Sequence, residues 1–88
     1  MATVILRAPL KQRAGGKSSV EVDGATVRDV VAGLERDEPD LSGWVLDEQK
    51  NVRRHVNVFL NGERVQADAS VGPDDRIEII HAISGGAT

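Results

Sequence analysis

The side chains in this sequence that could carry chemistry are few, and they do not assemble into a catalytic set. His55 and His81 each lack a second ligand at helical or hairpin spacing, so both read as ordinary strand residues and no metal site is expected. Ser84 has no base beside it, and a serine nucleophile needs one. Cysteine is absent, which removes thiolate catalysis, a disulfide framework and thiolate metal coordination together and fits a reducing compartment. Asp37, Glu38 and Asp40, like Asp74 and Asp75, fall at predicted turns without the ligand order of a calcium loop, and are expected to be solvated. What remains is main chain: Gly85-Gly86, followed by Ala87 and Thr88. Nine glycines in 88 residues give about one adjacent pair by chance, and Gly15-Gly16 is another, so position is what distinguishes this pair. It lies directly after the last predicted strand.

The elements that would position it follow from periodicity. Thr3-Val4-Ile5-Leu6-Arg7 is a β-branched run, and Val20 and Val22 alternate with polar neighbours. With Gly15-Gly16 between them, the first 24 residues predict an antiparallel β-hairpin. Val27, Val30, Val31 and Leu34 then fall at i, i+3, i+4 and i+7, the stripe of a helix over Val27 to Asp37. Thr26 is its expected N-cap, Asp29 stands at the capping-box position, and Pro39 stops it. Leu41, Trp44, Val45 and Leu46 predict a further turn of helix that lays Trp44 over one end of the core. His55 to Leu60 reads as a strand, Asn61-Gly62 as a hairpin turn, Glu63 to Gln66 as a short return strand, and Arg76 to His81 as the last strand. If Val56, Val58, Ile77 and Ile79 face the helix, Phe59 and Ile80 face away, either as a contact site or partly covered by the other strands.

The resulting order, β-β-α-β-β-β, is α+β: one main helix on one face of a mixed sheet of four to five strands, a β-grasp. Eighty-eight residues allow one domain. The expected division is a β-grasp domain at 1–83 and a flexible C-terminal tail at 84–88. Eleven Lys and Arg against 14 Asp and Glu give a net charge of -3 with the cations scattered, which argues against nucleic acid. Arg53-Arg54 is too small a patch for that purpose, although it suits an acidic partner. The first ten residues lack a secretory pattern and no segment is long enough to span a bilayer, so a cytoplasmic protein is expected.

Three segments together resemble the ThiS/MoaD sulfur carriers, which are relatives of ubiquitin: Arg54 to Val65, Val71 to Ile80, and Ser84-Gly85-Gly86. The likeness spans nearly the whole chain. Two departures stand out: His81-Ala82-Ile83-Ser84 replaces the Pro-rich approach to the diglycine common in the family, and Ala87-Thr88 follow where the family usually ends. The extension is similar to that of carriers made as precursors and trimmed by a JAMM-type metalloprotease.

The resemblance implies a protein co-substrate rather than an enzyme, with no catalytic residue and no bound cofactor. A ubiquitin-activating-type enzyme would adenylate the Gly86 carboxylate with ATP, and sulfur would then replace AMP to give a thiocarboxylate. A sulfur-accepting biosynthetic enzyme would use that group to make a small metabolite, cysteine or a related amino acid or a specialised product. Glycine at 85 and 86 suits threading of an extended terminus through a narrow channel, since no Cβ obstructs it. Phe59 and Ile80 fall in the region where ubiquitin carries its recognition patch, and with Ile83 and Ser84 they are the expected partner-binding residues. Three alternatives stand beside this: the small subunit of a molybdopterin-synthase-like complex, a protein modifier joined through Gly86 to lysines, and a β-grasp interaction module without acyl chemistry.

Overall fold

Val4 and Leu6 alternate with Thr3 and Ile5, and this period-two pattern makes Ala2–Leu6 a strand, β1, with Ala2, Val4 and Leu6 buried. The computed structural model describes residues 1–81 and pairs β1 antiparallel with β2, Ser19–Val22, placing Val4 opposite Val20. Their connection differs from the tight Gly-Gly hairpin expected. Leu10–Arg13 forms one turn of helix, α1, and Gly15 and Gly16 follow at φ of 73° and 89°. The reason is apolar: Leu10 and Ala14 are both buried, and a helical turn sets residues four apart side by side on one face, so that both reach the core within a short connection.

The second helix, α2, spans Val27–Asp37. Thr26 is extended and its Oγ1 accepts the Asp29 N–H at 3.2 Å, satisfying one of the donors that a helix start leaves unpaired. Val27, Val30, Val31 and Leu34 are fully buried against the sheet, each such side chain contributing about 1.5–3 kcal/mol. Gly33 permits the approach: a Cβ there would stand 2.7 Å from Val22 Cγ1.

The sheet has five strands in the order β2-β1-β5-β3-β4. Strand β3 is Val56–Leu60, and β4 is Glu63–Arg64. Asn61 and Gly62, at φ of 51° and 88°, make the turn between them that an Asn-Gly pair favours. β4 stops short of Gln66. After the Val65 N–H bonds to Val58 O at 3.0 Å, the chain leaves the sheet and lends Ala67 O and Ala69 O to the Arg28 and Val27 N–H groups at the start of α2. Strand β5, Arg76–His81, is central, parallel to β1 and antiparallel to β3. Ile77 and Ile79 are buried beneath α2, while Glu78 and Ile80 alternate onto the other face. Among the described residues no helix is long and apolar enough to cross a membrane.

Candidate functional site

Gly85, Gly86, Ala87 and Thr88, with Ile83 and Ser84, lie outside the described residues, so the structure defines the base from which they continue. That base is the end of β5. Leu6 opposite Ile79 closes its pairing with β1, and Val56 opposite His81 closes its pairing with β3. His81, half-buried, is then tied to a loop: its Nε2 lies 3.1 Å from Trp44 O, and since a carbonyl only accepts, Nε2 carries the proton and donates. Nδ1, the other ring nitrogen, is buried without a partner among the described residues. The ring meets Trp44 edge to face, with centroids 5.8 Å apart.

Trp44 does not sit on a helical turn of its own. A 3₁₀ turn at Pro39–Leu41 precedes it, and the Trp44 N–H bonds to Leu41 O at 2.9 Å. What holds this loop is Glu35, a buried carboxylate only 9% exposed that accepts N–H groups from Val45 at 3.0 Å, Leu46 at 2.9 Å and Gly43 at 3.3 Å. A buried carboxylate without its own countercharge needs such donors, and three backbone N–H groups supply them. Glu35 was legible as an oddity, since it occupies the i+4 position from Val31 on an otherwise apolar stripe.

Two arginines flank the loop. Arg13 places Cζ 4.3 Å from the Trp44 ring centroid and donates Nε–H to Asp40 O at 3.2 Å. Arg53 donates Nε–H to Gly43 O. A hollow of about 460 Å³ opens beside Arg53, lined also by Gly43, Trp44, His55 and His81. Sequence reasoning singled out Arg53 and Trp44 separately and missed Arg13 altogether.

On the helix-free face, Phe59 and Ile80 are both half-buried. Ile80 is paired with Asn57, and Phe59 with Glu78 and Arg64. Glu78 stands between Ile5 and Phe59 and is ion-paired with Arg7, so a charge divides the apolar groups of this face.

At the other end of β5, Asp75 sits at the expected turn and is hydrogen-bonded there as well. Its carboxylate accepts the Gly72 N–H at 2.7 Å and Asn61 Nδ2 at 3.0 Å. The first of these bonds above all, then the second, holds its pKa below the usual carboxylate value. Glu38 is likewise engaged, 2.8 Å from Lys17. Among the described residues no group of three or more His, Cys, Asp or Glu side chains is arranged to hold a metal ion.

The ThiS family model matches residues 4–86. Sulfur carrier protein CysO of Mycobacterium tuberculosis is 28% identical over 90 residues, spanning 96% of this chain and 97% of that protein. Small archaeal modifier protein 1 of Haloferax volcanii is 32% identical over 83 residues, spanning 92% and 95%. In the crystal structure of the Amycolatopsis orientalis BexX/CysO complex, one chain matches with a TM-score of 0.86 at 29% identity, over 94% of this chain and 97% of that one. A five-stranded mixed sheet with one main helix, a family match through Gly86 and these relatives agree: the fold is a ubiquitin-like β-grasp, and the chain belongs to the ThiS family.

Proposed function

We propose that this chain is a sulfur carrier whose working group is the main-chain carboxylate of Gly86, unmasked by removal of Ala87 and Thr88. The observation that carries the reading is the junction of β5 with Ser84-Gly85-Gly86: the central strand, bonded on both sides, leads within a few residues to a pair without side chains. The family match supports it by extending to Gly86 and stopping there. Residues 1–83 then serve as the handle and 84–88 as the reactive tail with its extension.

The chemistry follows from the carboxylate. It is a poor electrophile until activated, so its oxygen attacks the α-phosphorus of ATP in a partner enzyme, giving an acyl adenylate and pyrophosphate. Sulfide then attacks the acyl carbon, AMP leaves with the C–O bond electrons, and a thiocarboxylate remains. With no cysteine, the chain has no thiol on which to carry a persulfide, so the terminal acyl group is the one place for sulfur. Transfer to a small metabolite, cysteine or a related amino acid or a specialised product, completes the cycle in the cytoplasm. Catalysis belongs to the partners, namely the activating enzyme, the sulfur-accepting enzyme and a JAMM-type metalloprotease for the extension.

Intact mass tests this. The chain ending at Gly86, incubated with a ubiquitin-activating-type enzyme of the same organism, ATP and sulfide, is expected to exchange one oxygen for one sulfur. A mass that stays unchanged argues against the carrier reading.

A second reading, a modifier joined through Gly86 to lysines, is favoured by the 32% identity to small archaeal modifier protein 1. The same acyl adenylate serves it. Diglycine remnants on cellular lysines that depend on Gly86 would establish it.

A further inference from the structure

Arg13 and Arg53 reach the end of β5 from distant parts of the chain, and the same device holds both. Each spends its Nε–H on a backbone carbonyl at one end of the Asp40 to Gly43 loop. A guanidinium held this way keeps its Nη edge, which can grip a carboxylate through two parallel hydrogen bonds. Arg13 is fixed further over Trp44, and Arg53 Nη2 lies against Gly43, 3.9 Å from where a Cβ would stand. Side chains ordered in advance lose less entropy on binding.

Neither arginine forms an ion pair among the described residues, nor do their neighbours Arg54 and Lys11. This holds although acids outnumber bases 14 to 11 in the chain. The bordering acid is Asp40, exposed and sharing a second hollow with Gln12 and Arg13; His55 and His81 line the first. A cationic platform thus stands where β5 ends, in a chain of net charge -3.

We propose that Arg13, Trp44 and Arg53 form a docking platform for an Asp/Glu-rich segment of the enzyme that works on the C-terminus. The identity of that enzyme rests on the proposed function; the platform does not. Complementary charge is the argument for a carboxylate-bearing occupant, and adjacency to His81 for an enzyme that grips the residues beyond it. A protein rather than a nucleic acid fits because two guanidinium forks are a short patch, not the extended cationic stripe that phosphates require.

Trp44 is the sole tryptophan and reports on its own site. The full 88-residue chain is titrated with a hexaglutamate peptide and, separately, with a thymidine oligonucleotide of equal charge, at low and at physiological salt. Hexaglutamate is expected to change Trp44 emission saturably and more tightly at low salt. Arg13→Gln and Arg53→Gln should each weaken it roughly fivefold or more, with Arg13→Lys and Arg53→Lys between them and the parent because charge persists without the fork. Arg76→Gln, at the opposite end of β5, should leave it unchanged. In the parent protein the Nε–Hε resonances of Arg13 and Arg53 should shift ahead of those of Arg64 and Arg76, a readout that needs no variant. Equal shifts at all four arginines, unchanged affinity in both glutamine variants, or an oligonucleotide that binds as tightly would overturn the proposal. A chain that accepts sulfur at Gly86 while ignoring hexaglutamate sinks the platform alone; the reverse sinks the carrier alone.

Discussion

The two ends of β5 are both tied down, but by bonds of different kinds. At the start, polar groups close on one another: Asp75 accepts from Gly72 and Asn61, Asn61 Oδ1 accepts the Arg76 N–H at 2.9 Å, and Asp75 O accepts the Thr3 N–H at 3.0 Å. At the finish, the loop beneath is satisfied by Glu35, and two guanidiniums, Arg13 and Arg53, converge on it without an ion pair among the described residues, where the start has Arg76 alone. A closed network serves the fold and sets where the strand begins. An open one leaves bonding capacity for something outside the chain.

The largest expected effect tests what carries the open end. Glu35→Ala strands the buried N–H groups of Val45 and Leu46 and should cost about 3 kcal/mol in denaturant unfolding. A loss below about 1 kcal/mol would mean that the Trp44 loop holds itself and Glu35 is a passenger.

Next is the closed end, where Asn61→Ala removes both side-chain bonds and puts a Cβ-bearing residue without a local hydrogen bond at φ 51°. A loss of about 1–2 kcal/mol is expected, with no change in Trp44 emission. A shifted emission would show that the two ends are coupled and erase the distinction drawn between them.

The pH response sharpens it further. Asp75 has a folded pKa below its unfolded value, so the stability it contributes is complete above the unfolded value and is lost as pH falls through the folded one. As pH falls through and below the ordinary carboxylate range the parent should therefore lose melting temperature more steeply than Asp75→Asn. Parallel curves would mean that the carboxylate is not engaged in solution.

The smallest effect belongs to His81→Phe, which keeps a ring against Trp44 but deletes the donor to Trp44 O. About 1 kcal/mol or less should be lost, with a measurable change in Trp44 emission. No change in either would detach His81 from the loop.

Legibility in the sequence followed the range of the interactions. The bounds of α2, its Thr26 cap, the Asn61-Gly62 turn and the alternation in β5 depend on neighbours within a few positions, and pattern reading recovers them. The α1 turn was overlooked because Gly15-Gly16 gave a stronger local signal than Leu10 and Ala14, whose role shows only once a core exists. β4 was overextended because the task of Ala67 and Ala69, supplying carbonyls to α2, lies far along the chain. The platform was invisible for the same reason: Arg13, Trp44, Arg53 and His81 are separate in sequence and meet only through the fold.

ATP–pyrophosphate exchange with the activating enzyme reports whether a main-chain acid at Gly86 is what becomes adenylated. A chain ending at Gly86 should support exchange, while the same chain with Ala87 and Thr88 attached should give only the enzyme's background. Equal exchange by both forms would contradict the account, since a Gly86 in peptide linkage has no carboxylate to activate.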